Sequence, residues 1–419
     1  MLAGAASLFG LQDIRSSLRK LGVDVQFIEA PFMKRYRLVD EAEESLMRFT
    51  HALPDGVSVI PLSEYWISRC LVGGSCAAGE RALRASRSKR LLYQLLSTVC
   101  PLPRVFAGQQ DALDHIRTGG EVVVKPSGLF SGYGVHVVGE HNLCDLERHV
   151  YNAAHVSNNA TRLFAVHNTA ALVCQRVRGQ EMSADVFVWK GEACVVRVCR
   201  KVVALVHAAP CTLTCQLIPP SREVQGAIKQ WCSVLFDSGD TSFAQFDFIE
   251  TDGGYLVPID FAARVAGGLE HLLSAYCSAT GVNAYATAIS RAIRSAAGDD
   301  VAQGARQCGA NVCASAISAN AGCEALSADS TGGLYWTQYN CLPTKSGRLC
   351  RDELPLPKGD IRILKRAGDF VPRSPTSVQS RVATVVSRSS WPIDKGTLDS
   401  LLLGEEYIAS WKDNTQPNG

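Results

Sequence analysis

The stretch FAQFDFIETDGGYLVPIDFAARVAGG (residues 243–268) decides how the rest of the chain is read. Apolar segments flank Thr251-Asp252-Gly253-Gly254, and an Asp-Gly pair supplies the positive φ that a tight hairpin turn requires. Two antiparallel strands are therefore expected, with Asp247 on the first and Asp260 on the second. A hairpin sets distant residues side by side, so these carboxylates can share one hard divalent cation that keeps its other positions for water or phosphate. Arg264 follows four residues after Asp260, and Gly267-Gly268 leads into a helical pattern. Two carboxylates on a solvated hairpin would read the same way in isolation. The deciding signals lie upstream.

A chain of 419 residues is long enough for two to four domains. The net charge of +2 gives no bulk pull toward nucleic acid or membrane, and neither is expected as a partner. The sixteen cysteines are scattered without a single CxxC, which argues against a zinc knuckle and for reduced, buried thiols in a cytoplasmic protein. The opening MLAGAASLFG lacks the basic start and apolar core of a signal peptide. No run of about 18 apolar residues predicts a transmembrane helix.

Leu11, Ile14, Leu18 and Leu21 recur at helical spacing, Gly22 stops that pattern, and VDVQFIEA (residues 23–30) reads as a strand. The strand that should precede this helix is not evident in the opening residues. A strand over residues 57–61 and a helix from Ser63 continue the α/β rhythm. ALRASRSKRLLYQLLS predicts one helix through about Ser97, closed by Pro101 and Pro103, and a first α/β domain over residues 1–108.

A short helix over residues 111–117 precedes EVVVKPSG, whose Val122-Val123-Val124 run reads as a strand buried on both faces. The loop that follows carries Ser127, Gly128, Ser131, Gly132 and Gly134, and bare backbone N–H groups of such a loop can approach an anion closely. It matches neither GxGxxG nor GxxxxGK[ST], so dinucleotide-fold and P-loop readings lose ground. Residues 171–206 read as successive strands with turns at Gly179 and Gly191. Residues 224–235 read as a helix, and residues 268–296 as a long helix or a pair broken near Gly281. Residues 298–333, rich in Ala, Ser, Gly and Cys, read as a linker. Alternation returns in LYWTQYN, DIRILK and RVATVVS, a small β-rich C-terminal subdomain over residues 334–419. Its local excess of Lys and Arg reads as a solvated face.

In order and spacing these parts resemble the ATP-grasp superfamily, in particular its carboxylate–amine ligases such as the L-amino-acid ligases. The resemblance covers roughly residues 80–290, more weakly the N-terminal part. It implies an α/β fold with a pre-ATP-grasp domain (1–108), a two-lobed ATP-grasp domain (109–297, lobes roughly 109–176 and 177–297), the linker and the C-terminal subdomain. Lys89, on a helix before a proline-containing turn, and Lys125, on the strand opening the glycine loop, match the two lysines that hold ATP phosphates. Ser127, Gly128, Ser131 and Gly132 match the flap over those phosphates. Gln175, Arg176 and Val177 match the strand between the lobes where adenine meets backbone, and Glu181 matches the ribose ligand. Where many members place a glutamate facing the adenine amino group, this chain has Cys174 or Gln175.

Asp247 and Asp260 match the Mg²⁺ site, with Mn²⁺ as an alternative. Asp260-Phe261-Ala262-Ala263-Arg264 resembles E-x-A-x-R, with aspartate one methylene shorter than the family's glutamate and Ala262 supplying no ligand. Arg264 takes the catalytic role of gripping the transferred phosphate and the oxyanion. One of Arg197, Arg200 and Lys201 is expected to face the phosphates, and alternation leaves all three open. His271 reads as a satisfied helix histidine rather than a pocket residue.

The resemblance implies amide or peptide bond formation through an acyl phosphate, from a small-molecule carboxylate and an amine, with release of ADP and phosphate. Such ligases are often homodimers. Two alternatives stand beside it: a purine-pathway or carboxylase-like ATP-grasp enzyme, and a non-catalytic ATP-binding protein whose metal site has decayed.

Overall fold

The computed structural model describes residues 2–4, 14–15, 27–29, 59–73, 76–129, 132, 134–155, 170–296, 334–371 and 381–410. The linker expected over residues 298–333 lies outside them, as do Phe130, Ser131 and Tyr133 of the glycine loop and most of the helix expected after Leu11, of which residues 14 and 15 are helical.

Three short parallel strands, β1 (Leu2–Gly4), β2 (Phe27–Glu29) and β3 (Ile60–Pro61), form the first sheet in the order β2-β1-β3. The opening residues thus do contain the strand that the sequence hides, and it is the central one. At three residues it is too short to show a period. Next come α1 (Glu64–Gly73), α2 (Glu80–Ser86) and α3 (Lys89–Leu96). The single helix expected through Ser97 is in fact two. Ser88 adopts extended backbone, and its hydroxyl accepts from the Leu91 N–H at 3.2 Å, starting a new helix with Lys89 as its first residue.

The second unit comprises α4 (Gln109–Arg117), β4 (Val122–Pro126), β5 (His136–Val138), α5 (Leu146–Ala154) and β6 (Ala171–Gln175), with strand order β5-β4-β6. Val122 and Val124 are fully buried with Phe106, Ala112, Ile116, Val138 and Leu146. Val123 is not buried as expected, because its face of the sheet fronts a cavity.

The large sheet is built from β7 (Gln180–Trp189), β8 (Glu192–Val206), β9 (Ala209–Ile218), β10 (Ser242–Glu250) and β11 (Leu256–Ala262), with α6 (Arg222–Leu235) between β9 and β10. The helix pair expected after Gly268 is α7 (Glu270–Thr280) and α8 (Ala284–Ala296), separated at Gly281. Then follow β12 (Tyr335–Pro343), β13 (Gly347–Leu349), β14 (Asp360–Ile363), β15 (Phe370–Val371), β16 (Ala383–Ser389), α9 (Lys395–Ser400), β17 (Leu402–Leu403) and β18 (Ile408–Ser410). Strand β12 pairs antiparallel with β9, so the sheet runs β11-β10-β7-β8-β9-β12-β16-β14 and takes in residues from the C-terminal region. Among the described residues no helix is long and apolar enough to cross a membrane.

Period-two alternation in β10 positions everything that follows. Ala244, Phe246 and Phe248 point into a core with Trp231 of α6 and Leu92 of α3. On the opposite face Phe243 packs with Tyr285 of α8. Gln245, Asp247 and Ile249, on that same face, line the cavity.

Candidate active site

The expected hairpin forms, but its turn differs in detail. The left-handed residue is Gly254 (φ 77°), not Gly253, and the Thr251 N–H donates to the Tyr255 carbonyl at 2.9 Å. Asp247 and Asp260 are direct cross-strand partners. Phe248 pairs with Pro258, so Ile259 is an extra residue bulged out of the ladder. Its carbonyl, freed from strand pairing, accepts from the Lys125 ammonium at 2.9 Å and from the Tyr93 hydroxyl at 3.1 Å.

Asp247, Ile259, Asp260 and Lys125 border a cavity of about 630 Å³. Lys89 pairs with Asp260 at 3.2 Å and donates to the Leu129 carbonyl, while its own N–H donates to the Ser127 carbonyl at 2.9 Å. Lys125 donates to Tyr93 Oη at 2.8 Å. Burial opposes its charge, yet Tyr93, Cys174 and Asp260 together hold its pKa above the ordinary lysine value. Lys201 bridges Asp247 at 2.8 Å and Glu181 at 3.1 Å. Burial pushes the Asp247 carboxyl up, but Lys201, Gln245 and Arg197 together outweigh it and the net direction is down.

Of the three cations, Arg197 and Lys201 line the cavity and Arg200 does not. Lys201 stands in the acidic cluster. Arg197, fully buried, is committed to Asp185 at 2.9 Å and to Ser183. Arg200 lies over the rings of Trp391 and Tyr335. Arg264 donates through Nε to Glu64 Oε1 at 2.7 Å and through Nη1 to Gln245 Oε1 and the Val265 carbonyl, each at 2.6 Å.

Gln175, Arg176, Val177 and Glu181 all border the cavity. The Gln175 N–H is used by the Arg104 carbonyl and that of Arg176 by the Glu121 carbonyl. Gly132 lines the cavity with φ 75°. Ser127 and Gly128 do not line it. Ser127 is turned into the protein, its N–H donating to Ala170 and its carbonyl accepting from Lys89. Ser131 lies outside the described residues. His271 is off the cavity, bonded through Nδ1 to Thr384 at 2.7 Å and paired with Asp360 at 3.1 Å. Sequence reasoning missed Glu64, Tyr93, Gln245 and Arg381 of the lining and its support. They come from four distant segments, and no motif spacing links them.

Among the described residues no group of three or more His, Cys, Asp or Glu side chains is arranged to hold a metal. Asp247 and Asp260 offer two carboxylates, each engaged by a lysine through Oδ1. Neither Oδ2 takes part in a described bond. Two free oxygens facing one cavity fit a hard cation that draws its remaining ligands from phosphate and water.

No protein-family model matches the chain, and no curated protein matches its sequence. Solved structures do. The chain is similar to an L-amino acid ligase from Bacillus licheniformis, with a TM-score of 0.55 and 14% identity over 96% of each chain. It is also similar to carboxyaminoimidazole ribonucleotide synthase from Aspergillus clavatus complexed with ATP, with a TM-score of 0.51 and 12% identity over 96% of each chain. The biotin carboxylase domain of Hydrogenobacter thermophilus 2-oxoglutarate carboxylase, bound to MgADP and bicarbonate, matches at a TM-score of 0.51 and 13% identity, over 93% of this chain and 86% of that one. All three are ATP-grasp enzymes, and the chain has the ATP-grasp fold.

Proposed function

We propose that this chain is an ATP-dependent carboxylate–amine ligase acting on small molecules, amino acids foremost. The observation that carries the reading is that Lys89, Lys125, Lys201 and Arg264 line one cavity with the register-matched pair Asp247 and Asp260. A three-lysine wall beside two carboxylates is a phosphate-binding surface, because compact ammonium groups offset oxyanion charge. ATP is the phosphoryl donor. Its phosphates lie toward Lys89 and Lys125, its adenine against residues 175–177 and its ribose at Glu181. Bound by Asp247 and Asp260, Mg²⁺ would neutralise charge on the transferring phosphate.

The reaction has two displacements. An oxygen of the acid attacks the γ-phosphorus, the bond to the bridging oxygen breaks, and ADP leaves. The amine nitrogen then attacks the acyl carbon, inorganic phosphate departs, and the nitrogen loses a proton. The protein's task in both is positioning and charge neutralisation rather than covalent catalysis. Arg264, fixed by Glu64 and Gln245, holds a positive charge at the cavity wall for the acyl phosphate and the oxyanion.

The test is ADP and phosphate release across pairs of acids and amines, with products read by mass spectrometry. ADP release that needs an amine supports the ligase. Release that needs bicarbonate would point to carboxylase-like chemistry. ATP binding without turnover would favour a decayed site, a reading that rests on Ala262 supplying no ligand and on both carboxylates being engaged by lysines.

A further inference from the structure

The ion pairs of the cavity leave a remainder. Lys89 is matched by Asp260, Lys201 by Asp247 and Glu181, Arg264 by Glu64, Arg197 by Asp185 and Arg176 by Glu121. Two lining cations, Lys125 and Arg381, have no carboxylate within ion-pair distance among the described residues. Lys125 lies at the glycine-loop end with the other lysines. Arg381 comes from the segment just before β16.

Arg381 donates through Nη1 to the Gly268 carbonyl at 2.6 Å, a neutral partner. Cys215, Leu269 and Leu342 line the same cavity as apolar or neutral groups. Glu270 is the nearby acid but forms no ion pair with it, and burial pulls the guanidinium pKa down. The guanidinium is half-buried, and a charge partly withdrawn from water is completed most favourably by an anion. The position is also built for the guanidinium. Gly268 has φ 80°, and a Cβ there would stand 2.5 Å from Arg381 Nη1. Arg264 holds the Val265 carbonyl and Arg381 that of Gly268, so the two guanidinium groups clamp opposite ends of one turn.

We propose that Arg381 is a specificity-determining residue that binds a second carboxylate, one that is not activated, on the acid or the amine substrate. This deepens the ligase reading and rests on it. Arg264 takes the carboxylate that becomes the acyl phosphate. Arg381, one turn away with Nε and Nη2 in no described bond, takes the carboxylate that stays ionised. Guanidinium suits that task because its planar donors match carboxylate geometry. The substrate class is then amino acids or dicarboxylic acids rather than simple amines and monoacids.

The experiment compares wild type, Arg381→Gln and Arg381→Lys on matched pairs: amino acids against their carboxamides as amine, and dicarboxylic acids against their half-amides as acid. Binding of a non-hydrolysable ATP analogue checks the fold of each variant. Wild type should prefer the carboxylate member of one series by at least about thirtyfold in kcat/KM, the scale of one lost charged hydrogen bond. Arg381→Gln should collapse that preference, and Arg381→Lys should restore part of it. The series in which it collapses names the substrate that carries the carboxylate.

Equal losses on both members of every pair, or no preference in wild type, would overturn the proposal. So would weakened binding of the ATP analogue as the main effect of Arg381→Gln, which would assign the guanidinium to phosphate. If no pair supports ADP release, the ligase reading fails, and calorimetry with the same pairs still decides Arg381. Wild type must then bind the carboxylate members more tightly and Arg381→Gln must not. Absence of that difference sinks the proposal.

Discussion

Glu64 and Arg264 lie 200 residues apart in sequence and are joined at 2.7 Å, with the other oxygen of Glu64 paired to Arg87 at 2.7 Å. All three side chains are largely buried. A carboxylate at the first turn of α1 thereby fixes the guanidinium that follows β11, and the N-terminal region takes part in the site.

Glu64→Gln keeps the shape and removes the charge. Breaking a buried ion pair on one side costs about 3–5 kcal/mol, so the melting temperature should fall clearly. If Glu64 positions Arg264, kcat should also drop by about a hundredfold while ATP affinity changes little. Stability loss with normal kcat would reduce Glu64 to a structural role.

The same residue predicts an acid limb. Burial pushes the Glu64 carboxyl up, but Arg264 and Arg87 pull it down further, and it ends below its ordinary value of 4.5. A carboxyl depressed in the folded state contributes stability above its unfolded pKa and loses it as pH falls through the folded one. Wild type should therefore lose stability on acidification below about pH 4.5. Glu64→Gln should show a shallower slope there, measured by thermal melts from pH 6 to pH 3. Parallel slopes would mean that Glu64 is not held ionised.

Lys125 offers the contrasting case, a buried cation with no carboxylate within ion-pair distance among the described residues. Lys125→Met should weaken ATP binding by about tenfold to a hundredfold, the range for a lost charged hydrogen bond. Its melting temperature without nucleotide should move less than that of Glu64→Gln. Intact ATP binding with a large loss of apo stability would take the glycine-loop strand out of the site.

Asp260→Asn removes one carboxylate from the register-matched pair without changing its size. Mg²⁺-dependent ADP release should fall below detection, because a single carboxylate at Asp247 remains. Asp260→Glu, with a longer reach, should keep part of the activity and change the preference between Mg²⁺ and Mn²⁺. Wild-type activity of the asparagine variant at limiting Mg²⁺ would place the cation elsewhere.

Arg264→Lys keeps the charge but loses the fork that spans Glu64, Gln245 and Val265. A kcat loss of at least about a hundredfold is expected, the usual scale for one stabilising donor. Near-normal turnover would end the assignment.

Features that depend on neighbours in the chain were legible beforehand. The Asp-Gly-Gly turn between apolar runs announced the β10–β11 hairpin, and Gly281 announced the break between α7 and α8. Local chemistry also misled. One helix was expected where Ser88 caps a second, and β1 was too short to carry a pattern.

The sequence by itself determined the β10–β11 hairpin, the strand alternation and the spacing of Asp247, Asp260 and Arg264, because these are local properties, and its resemblance to the ATP-grasp superfamily implied the fold. Tertiary structure alone decided which charges meet. It paired Lys201 with Asp247 and Glu181 and Arg197 with Asp185, turned the bulged carbonyl of Ile259 toward Lys125, and brought Glu64 and Arg381 to the two ends of the Arg264–Gly268 turn. Those pairings depend on sheet order and on one bulge in register, and a bulge shifts every later side chain without leaving a periodic trace.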